Sequence, residues 1–293
     1  MTNNIKPDLV LNSDGSLYHI NLLPGDVAET IILVGDPGRV ELVASFFDSI
    51  ELRKHNREIQ TITGKYKGKR ISVMSSGMGP DNIEILVNEL DALFNIDLVS
   101  KQEKSNSTQL NLIRIGTSGA LQSDIPVVES FLVSEYGMGL DGLAYFYKKA
   151  DEVINHNLTN GFIDELKWDT NLPKPYAIKA SDLLLEKVGM DWRKGITLTA
   201  PGFYAPQGRE LRLEVVDSTI IDRASNYSYD GLKVTNFEME TSALYVLSAM
   251  LGHNALTVCD IIANRITGEF DPDYKKSMKM LVGKVLDRVI KLA

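Results

Sequence analysis

Apolar runs that end in small residues constrain the fold of this chain more than any other feature. TIILVG (30–35), NLIRIGTSGAL (111–121), ITLTAPGF (196–203) and NALTVCDIIANR (254–265) each have the composition of a buried strand. DGLKVTNFEM (230–239) is similar, and 57–77 has the pattern of two strands joined at Lys67-Gly68-Lys69. Segments with helical spacing separate these runs, at 38–47, 81–94, 239–251 and from about Tyr274. The alternation predicts an α/β fold whose ligands bind at the carboxyl ends of the strands.

Composition and charge exclude several classes of protein. The chain has 293 residues and a net charge of −8, which argues against a nucleic-acid surface. No apolar run approaches the ~20 residues that span a membrane. The polar start MTNNIKPDL lacks a signal-peptide pattern, so we expect a cytoplasmic protein. The single cysteine, Cys259, lies in an apolar run and predicts an inert core thiol, and the four histidines have no metal-ligand spacing.

No repeat or linker interrupts the chain, which predicts a single domain over residues 1–293. The polar, aperiodic stretch 101–109 predicts a surface loop.

Two arginines at strand ends are candidates for binding an anion. In IILVGDPGR (31–39), a buried run breaks into a Gly/Pro turn that is followed by Arg39, which fits either a plain turn or a phosphate cradle. Arg114 interrupts an apolar strand beside Thr117 and Ser118. A buried arginine needs a partner, so it either pairs with a structural acid or points at an anion.

Two further motifs carry groups that could recognise a nucleoside. FYAPQGR (203–209) places an aromatic ring, an amide and a guanidinium in one loop, which suits the edge of a pyrimidine but also fits an ordinary surface loop. NFEMET (236–241) puts Glu238 and Glu240 before an apolar helix, where they either stabilise its N-terminus or accept hydrogen bonds from sugar hydroxyls.

Taken together, the motifs occur in the order found in the nucleoside phosphorylase (PNP/UDP) family, and the chain resembles its uridine phosphorylases from about Tyr18 to Arg265. The resemblance is carried by GDPGR, NREIQTITGKYKGK, SSGMG, IRIGTSGAL, FYAPQGR, NFEMETSAL and ANR. It implies a single α/β domain with a twisted, barrel-like mixed sheet flanked by helices. It also implies a homodimer or a hexamer built as a trimer of dimers.

The implied activity is that of a uridine phosphorylase-type pentosyltransferase in nucleoside salvage. Such an enzyme converts uridine and orthophosphate to uracil and ribose 1-phosphate, with phosphate as co-substrate and no metal or organic cofactor. Its partners are small molecules, with no nucleic acid and no membrane.

Residue roles follow from the same resemblance. Phosphate binding is implied for Gly35, Arg39, Arg57, Arg114 and Thr117. Nucleoside binding is implied for His19, Ser118, Gly119, Phe203, Gln207, Arg209, Glu238, Met239 and Glu240. Catalytic roles are implied for Arg114, Arg209 and Glu240. His19 and Arg57 are implied to complete the site of the neighbouring subunit.

Three alternatives stay open from the sequence. Purine-specific members of the family carry a Ser-Asp pair at the end of the last strand, whereas this chain has Asn264-Arg265, which favours a pyrimidine. A nucleosidase would leave the arginines without an anion, and a non-catalytic nucleoside-binding protein would use the same scaffold. Departures from the family pattern, Ala205-Pro206 before Gln207 and the acid Asp260 inside the last strand, leave the substrate range open. Asp260 is either a core acid paired with an arginine or a residue that alters base preference.

Overall fold

Thirteen strands and eight helices alternate through residues 8–292, the part of the chain that the computed structural model describes. The strands are β1 Thr30–Val34, β2 Ser49–Asn56, β3 Ile59–Tyr66, β4 Lys69–Ser75, β5 Ile96–Asp97, β6 Gln102–Glu103, β7 Asn111–Ala120, β8 Phe131–Gly139, β9 Tyr176–Lys179, β10 Arg193–Thr199, β11 Ser228–Tyr229, β12 Leu232–Glu238 and β13 Asn254–Asn264. The helices are α1 Pro37–Ala44, α2 Pro80–Asn95, α3 Ala150–Val153, α4 His156–Glu165, α5 Asp182–Lys187, α6 Ile220–Asn226, α7 Thr241–Leu251 and α8 Lys275–Val289.

Eleven of the strands form one mixed sheet that closes partly on itself. The order is β11-β12-β10-β8-β13-β7-β1-β4-β3-β2, with β9 paired to β8. Strand β12 also pairs antiparallel with β7, Asn236 opposite Ala120 and Phe237 opposite Gly119. This pairing closes β7, β13, β8, β10 and β12 into a five-stranded barrel, and the twisted, barrel-like sheet expected from the sequence is confirmed.

Central strands are buried on both faces, as continuous apolar runs predict. All five residues of β1 are buried, and β1 runs parallel to β4 and β7. Helix α7 is buried over most of its length, from Thr241 to Ser248, between the sheet and its neighbours. The main core therefore lies between the sheet and helices α1, α2, α7 and α8.

The GDPGR motif makes the start of a helix. The side chain of Asp36 accepts a hydrogen bond from the backbone N–H of Gly38 at 2.8 Å, and Pro37 occupies the first helical position. An aspartate N-cap followed by proline is a strong helix-start signal because both satisfy the unpaired N-terminal groups. Arg39 is thereby fixed in the first turn of α1, directly beyond the carboxyl end of β1.

The sequence placed the long elements well and missed the middle of the chain. Helices predicted at 38–47, 81–94 and 239–251 and from Tyr274 are found as α1, α2, α7 and α8, with ends shifted by up to three residues. Strands β2, β8 and β9 and helices α3–α6 were not predicted. The 101–109 stretch is largely exposed, as predicted, but it contains the short strand β6.

Within residues 8–292, none of the helices combines the length and the apolar character that crossing a bilayer requires.

Candidate active site

The antiparallel crossing of β12 over β7 gathers the charged groups of the candidate site. Because the two strands run in opposite directions at Phe237 and Gly119, the residues after Phe237 run back along β7 toward Arg114. Glu238 and Glu240 are thereby brought to an arginine that is more than 120 positions away in the sequence.

Arg114 is buried, 3% exposed, and is paired with both carboxylates. Its Nη1 lies 3.2 Å from Oε2 of Glu238, and its Nη2 donates to Oε2 of Glu240. Burial alone would lower the pKa of Arg114, but the charges of Glu240 and Glu238 more than offset it and raise that pKa. Gly116 makes room for the guanidinium, since a Cβ at this position would lie 2.1 Å from Nη1. Of the two readings of Arg114, the structure contains the acid-paired one, and its buried Nε has no partner among the described residues.

Glu238 and Glu240 are both held by backbone N–H groups at helix starts. Glu238 accepts from the backbone N–H groups of Glu240 and Thr241 at about 3 Å, and from the hydroxyl of Thr199 at 2.6 Å. Glu240 accepts from the N–H of Gly79, the residue before α2, at 2.8 Å. Positive helix ends favour carboxylates there. Burial raises the pKa of Glu240, opposed by Arg114. Met239 lies between the two acids and is half-buried.

Arg39 lies beside this cluster. Its Nη1 donates to the carbonyl of Ile115 at 3.2 Å, and its buried Nε has no partner among the described residues. Burial and then the charge of Arg114 lower the pKa of Arg39. Gly35 lies directly against the guanidinium, since a Cβ there would come within 3.2 Å of Nη2. Two neighbouring guanidinium groups, one just beyond β1 and one on the adjacent strand β7, each have an unused N–H and are suited to an anion such as phosphate.

Three neighbouring positions of β7 line the same end of the sheet. Thr117 is half-buried and lies opposite Asp260 of β13. Ser118 is buried and accepts a hydrogen bond from Nδ2 of Asn236 at 2.9 Å. Gly119 is opposite Phe237.

The loop after β10 forms the second half of the candidate site. Gln207 is 3% exposed, and its Oε1 accepts from Nη1 of Arg209 at 2.6 Å. Arg209 also lies over the ring of Phe203, 3.9 Å from its centroid, and donates to the Phe203 carbonyl. Burial, and then the charge of Arg265, lower the pKa of Arg209 to about 10. The guanidinium of Arg209 therefore contacts both the exposed Phe203 ring and the Gln207 amide.

Arg265 ties this loop to the barrel, a role that the sequence left open. Its Nη2 donates to the carbonyl of Gln207 at 3.1 Å, and its backbone N–H donates to Ala120 at the end of β7. Its Nη1 is buried without a partner among the described residues. Asn264 is used structurally instead, since its amide donates to the carbonyls of Gln122 and Ile125. A basic residue just after the last strand was the available sequence signal for this contact.

His19 and Arg57 lie together in a separate patch. Nδ1 of His19 is 2.5 Å from Oε1 of Glu89, and the amide of Asn56 donates to the carbonyl of His19. Arg57 is exposed, lies over the ring of Tyr18 and contacts its hydroxyl at 3.4 Å. Among residues 8–292, neither side chain contacts Arg39, Arg114 or the loop at 203–209 through a hydrogen bond. The hydrogen bonds of the single chain therefore leave these two residues unconnected to the rest of the predicted site.

Two buried groups near the site behave as the sequence suggested only in part. Burial raises the pKa of the Cys259 thiol to about 12, which fits an inert core cysteine. Asp260 accepts a hydrogen bond from Ser277 of α8 at 2.7 Å and has no salt-bridge partner in the described part of the chain. Asp260 is thus a core acid held by a hydroxyl. Burial raises the pKa of Asp260 and the charge of Arg39 acts to lower it, although the two side chains do not form a salt bridge.

The described residues include no group of three or more His, Cys, Asp or Glu side chains placed to hold a metal ion. What they hold is a charged cluster made of Arg39, Arg114, Glu238 and Glu240, next to an amide–guanidinium pair in a loop with an exposed aromatic ring. The first can bind an anion and a polyol, and the second can bind a planar ring with carbonyl and N–H groups.

This barrel and this arrangement of charges define a class of α/β protein that binds an anion beside a second, planar ligand. The model of the phosphorylase superfamily matches residues 29–291, and the chain belongs to that superfamily.

Similar proteins include both uridine and purine nucleoside phosphorylases. The uridine phosphorylase of Thermococcus kodakarensis is 30% identical over 277 residues, covering 93% of this chain and 86% of that protein. A DeoD-type purine nucleoside phosphorylase of Bacillus cereus is 34% identical over 252 residues, covering 86% and 88%.

Among solved structures, a Trypanosoma brucei nucleoside phosphorylase that shows uridine phosphorylase activity matches with a TM-score of 0.86 and 27% identity. The match covers 97% of this chain and all of that one.

Proposed function

We propose that this protein catalyses the phosphorolysis of uridine, giving uracil and ribose 1-phosphate. The observation that carries the proposal is the contact between the buried Gln207 and Arg209, in a loop that Arg265 anchors beside the anion cluster. A uracil ring presents two carbonyl oxygens and one N–H, which a glutamine amide and a guanidinium match in number and sign.

At the base end of the site, Arg209 and Gln207 bind the uracil carbonyl and N–H groups. The C1′–N1 bond loosens before the new bond is complete, so negative charge develops on the leaving base. Donors already fixed in place stabilise that charge without reorganising, and they act mainly in the transition state. The base leaves with the electron pair of the C1′–N1 bond and takes a proton from solvent.

At the other end, Arg39 and Arg114 hold orthophosphate against C1′. A phosphate oxygen forms the new bond to C1′, and its negative charge stabilises the positive charge on the sugar. Glu240 accepts hydrogen bonds from the ribose hydroxyls. To do so, its carboxylate gives up part of its contact with Arg114. Fixing both reactants in one site supplies much of the rate enhancement.

We also propose that a second copy of the chain completes the site. His19 and Arg57 lie side by side through their contacts with Asn56 and Tyr18, and among residues 8–292 neither is hydrogen-bonded to the cluster of its own chain. In a homodimer, or a hexamer made of three dimers, this patch supplies a cation to the phosphate and a histidine to the sugar of the neighbour. The reaction needs no metal or organic cofactor, and we place it in the cytoplasm as part of nucleoside salvage.

The proposal is tested by incubating the protein with uridine, with and without orthophosphate, and measuring uracil and ribose 1-phosphate. We expect both products only when phosphate is present. Release of uracil without phosphate would instead establish a nucleosidase, and binding of uridine without any product would establish a non-catalytic protein.

A purine nucleoside phosphorylase is the second candidate, because DeoD-type relatives are as similar to this chain as the uridine phosphorylase is. The pair Asn264-Arg265 argues against it, because Asn264 is a structural amide and Arg265 stands where purine-specific members carry an acid. Measuring the turnover of inosine and of uridine distinguishes the two candidates. Faster turnover of inosine than of uridine would reverse the assignment.

A further inference from the structure

A row of buried, hydrogen-bonded polar side chains runs from strand to strand of the barrel and ends at Ser118. It runs from Ser134 on β8 through Thr197 on β10 and Asn236 on β12 to Ser118 on β7. The four side chains are buried, at most 6% exposed. Burying polar groups costs free energy unless they are paired, so a row of four such side chains inside the barrel needs a physical reason.

The amide of Asn236 determines which atom donates and which accepts in each hydrogen bond of this row. Its Oδ1 can only accept, and it lies 2.8 Å from Thr197 Oγ1 and 2.9 Å from Thr235 Oγ1, so both hydroxyls donate to it. Its Nδ2 can only donate, and it donates to Ser118 Oγ at 2.9 Å. Thr197 has spent its single proton, so Ser134 must be the donor in the 2.6 Å contact between them.

Ser118 therefore accepts from Asn236 and keeps its own proton. Among residues 8–292, Ser118 makes no hydrogen bond in which it donates that proton to an oxygen or nitrogen. The hydroxyl is left free to donate to a ligand.

The position of Ser118 indicates which ligand accepts this hydrogen bond. On one face of β7, Arg114 and Ser118 lie four residues apart with the guanidinium folded over Gly116 between them. The next residue along β7, Gly119, projects from the opposite face and abuts Arg265, since a Cβ there would lie 3.3 Å from Cγ of that arginine. Arg265 in turn holds the loop of Gln207. Along β7, Ser118 therefore lies between Arg114 of the anion cluster and the residue that meets the anchor of the base loop.

We propose that Asn236 is a positioning residue that directs the Ser118 hydroxyl to donate a hydrogen bond to the nucleoside, at the end where the base joins the sugar. The inference rests on the proposed function, because it assigns a nucleoside to this site. Asn236 touches no ligand and acts through Ser118.

The experiment is a double-mutant cycle read with both substrates. Asn236→Asp replaces the donor with an acceptor, which turns the Ser118 proton inward. Ser118→Ala removes the hydroxyl. We expect each to lower kcat/KM for the nucleoside about tenfold, the effect of one hydrogen bond, with KM for phosphate changed by less than about twofold. The double variant should lose no more than Asn236→Asp alone, within about twofold.

Thr235→Val is the matched control. It removes one of the two hydroxyls on Oδ1 with little change of shape, leaves Thr197 to hold the amide, and should stay within about twofold of the wild type. If Asn236→Asp does not fold, Asn236→Leu removes the same donor without adding a charge, and the same lack of additivity is expected. Losses that multiply in the double variant, or a wild-type kcat/KM in Ser118→Ala, would overturn the inference.

The proposed function can fail separately. If the wild type turns over inosine and not uridine, uridine phosphorolysis is wrong, and the same cycle run with inosine still tests the role of Asn236. If neither nucleoside is turned over, both conclusions fall.

Discussion

Arg114 and Glu240 form a buried ion pair that joins strand β7 to the starts of helices α7 and α2. Nη2 of the arginine donates to one carboxylate oxygen, and the N–H of Gly79 donates to the other. With Arg39 and Glu238, the cluster contains two positive and two negative charges, so its net charge is zero when no ligand is bound. In the proposed oligomer, Arg57 of the neighbouring subunit would add further positive charge for a phosphate anion.

Arg57→Ala and Arg114→Ala should complement each other in mixed oligomers. Each variant alone is expected to be inactive, because every site lacks one guanidinium. In a hybrid dimer one site carries both defects and the other carries none, so random mixing should restore about a quarter of wild-type activity per site. Subunits are mixed after dissociation, and turnover of uridine is measured. Co-refolded wild-type and Arg114→Ala chains are the control, and no recovery would show that Arg57 does not act across subunits.

Arg209→Ala should lower kcat/KM for uridine by about 100-fold, on the order of 3 kcal/mol in the barrier, because it removes a fixed donor to the leaving base. KM for phosphate should stay within about twofold, since Arg209 is in the loop and not in the anion cluster. Steady-state kinetics with each substrate varied in turn measure both. Arg212→Ala, an exposed arginine three residues along, is the control. Wild-type turnover in Arg209→Ala would refute the assignment of the base loop.

Arg39→Ala should act on the other substrate. We expect KM for phosphate to rise about tenfold or more, with a much smaller change in KM for uridine, because the guanidinium lies beside Arg114 at the anion end. The same kinetic measurements apply. Arg53→Ala removes an arginine whose side chain is 53% exposed and paired with Glu41, and it should leave both constants unchanged. Equal effects on the two substrates would contradict a phosphate role for Arg39.

Glu240→Ala should destabilise the fold as well as remove activity. Removing this carboxylate leaves two guanidinium groups, Arg39 and Arg114, with one buried acid, Glu238, and leaves the N–H of Gly79 without its acceptor, so the free energy of unfolding should fall by about 3–5 kcal/mol. Urea unfolding followed by circular dichroism measures it. Glu41→Ala breaks the exposed pair with Arg53 and should cost at most about 1 kcal/mol. Similar losses of unfolding free energy in the two variants would show that the buried pair contributes no more to stability than the exposed pair does.

Asp260 should make the stability fall as pH rises in the acid range. Burial is the main cause that raises its pKa from 3.8 to about 6, so between these values the folded protein holds a proton that the unfolded chain has released. Stability therefore decreases from about pH 4 to about pH 6 and is then constant, by up to about 3 kcal/mol at about 1.4 kcal/mol per pKa unit. Asp260→Asn keeps a polar partner for Ser277 and should remove this slope. Asp273→Asn, at an exposed position, should retain it, and identical profiles for wild type and Asp260→Asn would refute the prediction.

Much of the fold could be predicted from local sequence because the signals are local. The apolar runs at Thr30–Val34 and Asn254–Asn264 form buried strands because such runs are stable only inside a sheet. The GDPGR turn became the start of α1 because Asp36 and Pro37 satisfy the helix end by themselves. In the middle of the chain, short elements were not predicted because they are fixed by pairing, as β9 is by β8. The longer strand β8 was missed because Ser134, Glu135 and Gly137 interrupt its apolar run.

The sequence by itself determined which residues are charged, aromatic or amide-bearing at strand ends, and that Arg114 needs a partner. The tertiary structure alone decided which partner. Glu238 and Glu240 meet Arg114 because β12 crosses β7 antiparallel when the barrel closes, a contact with no local signal. The structure likewise placed Arg265 on the base loop and Asn236 behind Ser118, and among residues 8–292 it gave His19 and Arg57 no hydrogen bond to the cluster. Distances between residues far apart in the chain are set by packing, and packing is a property of the whole fold.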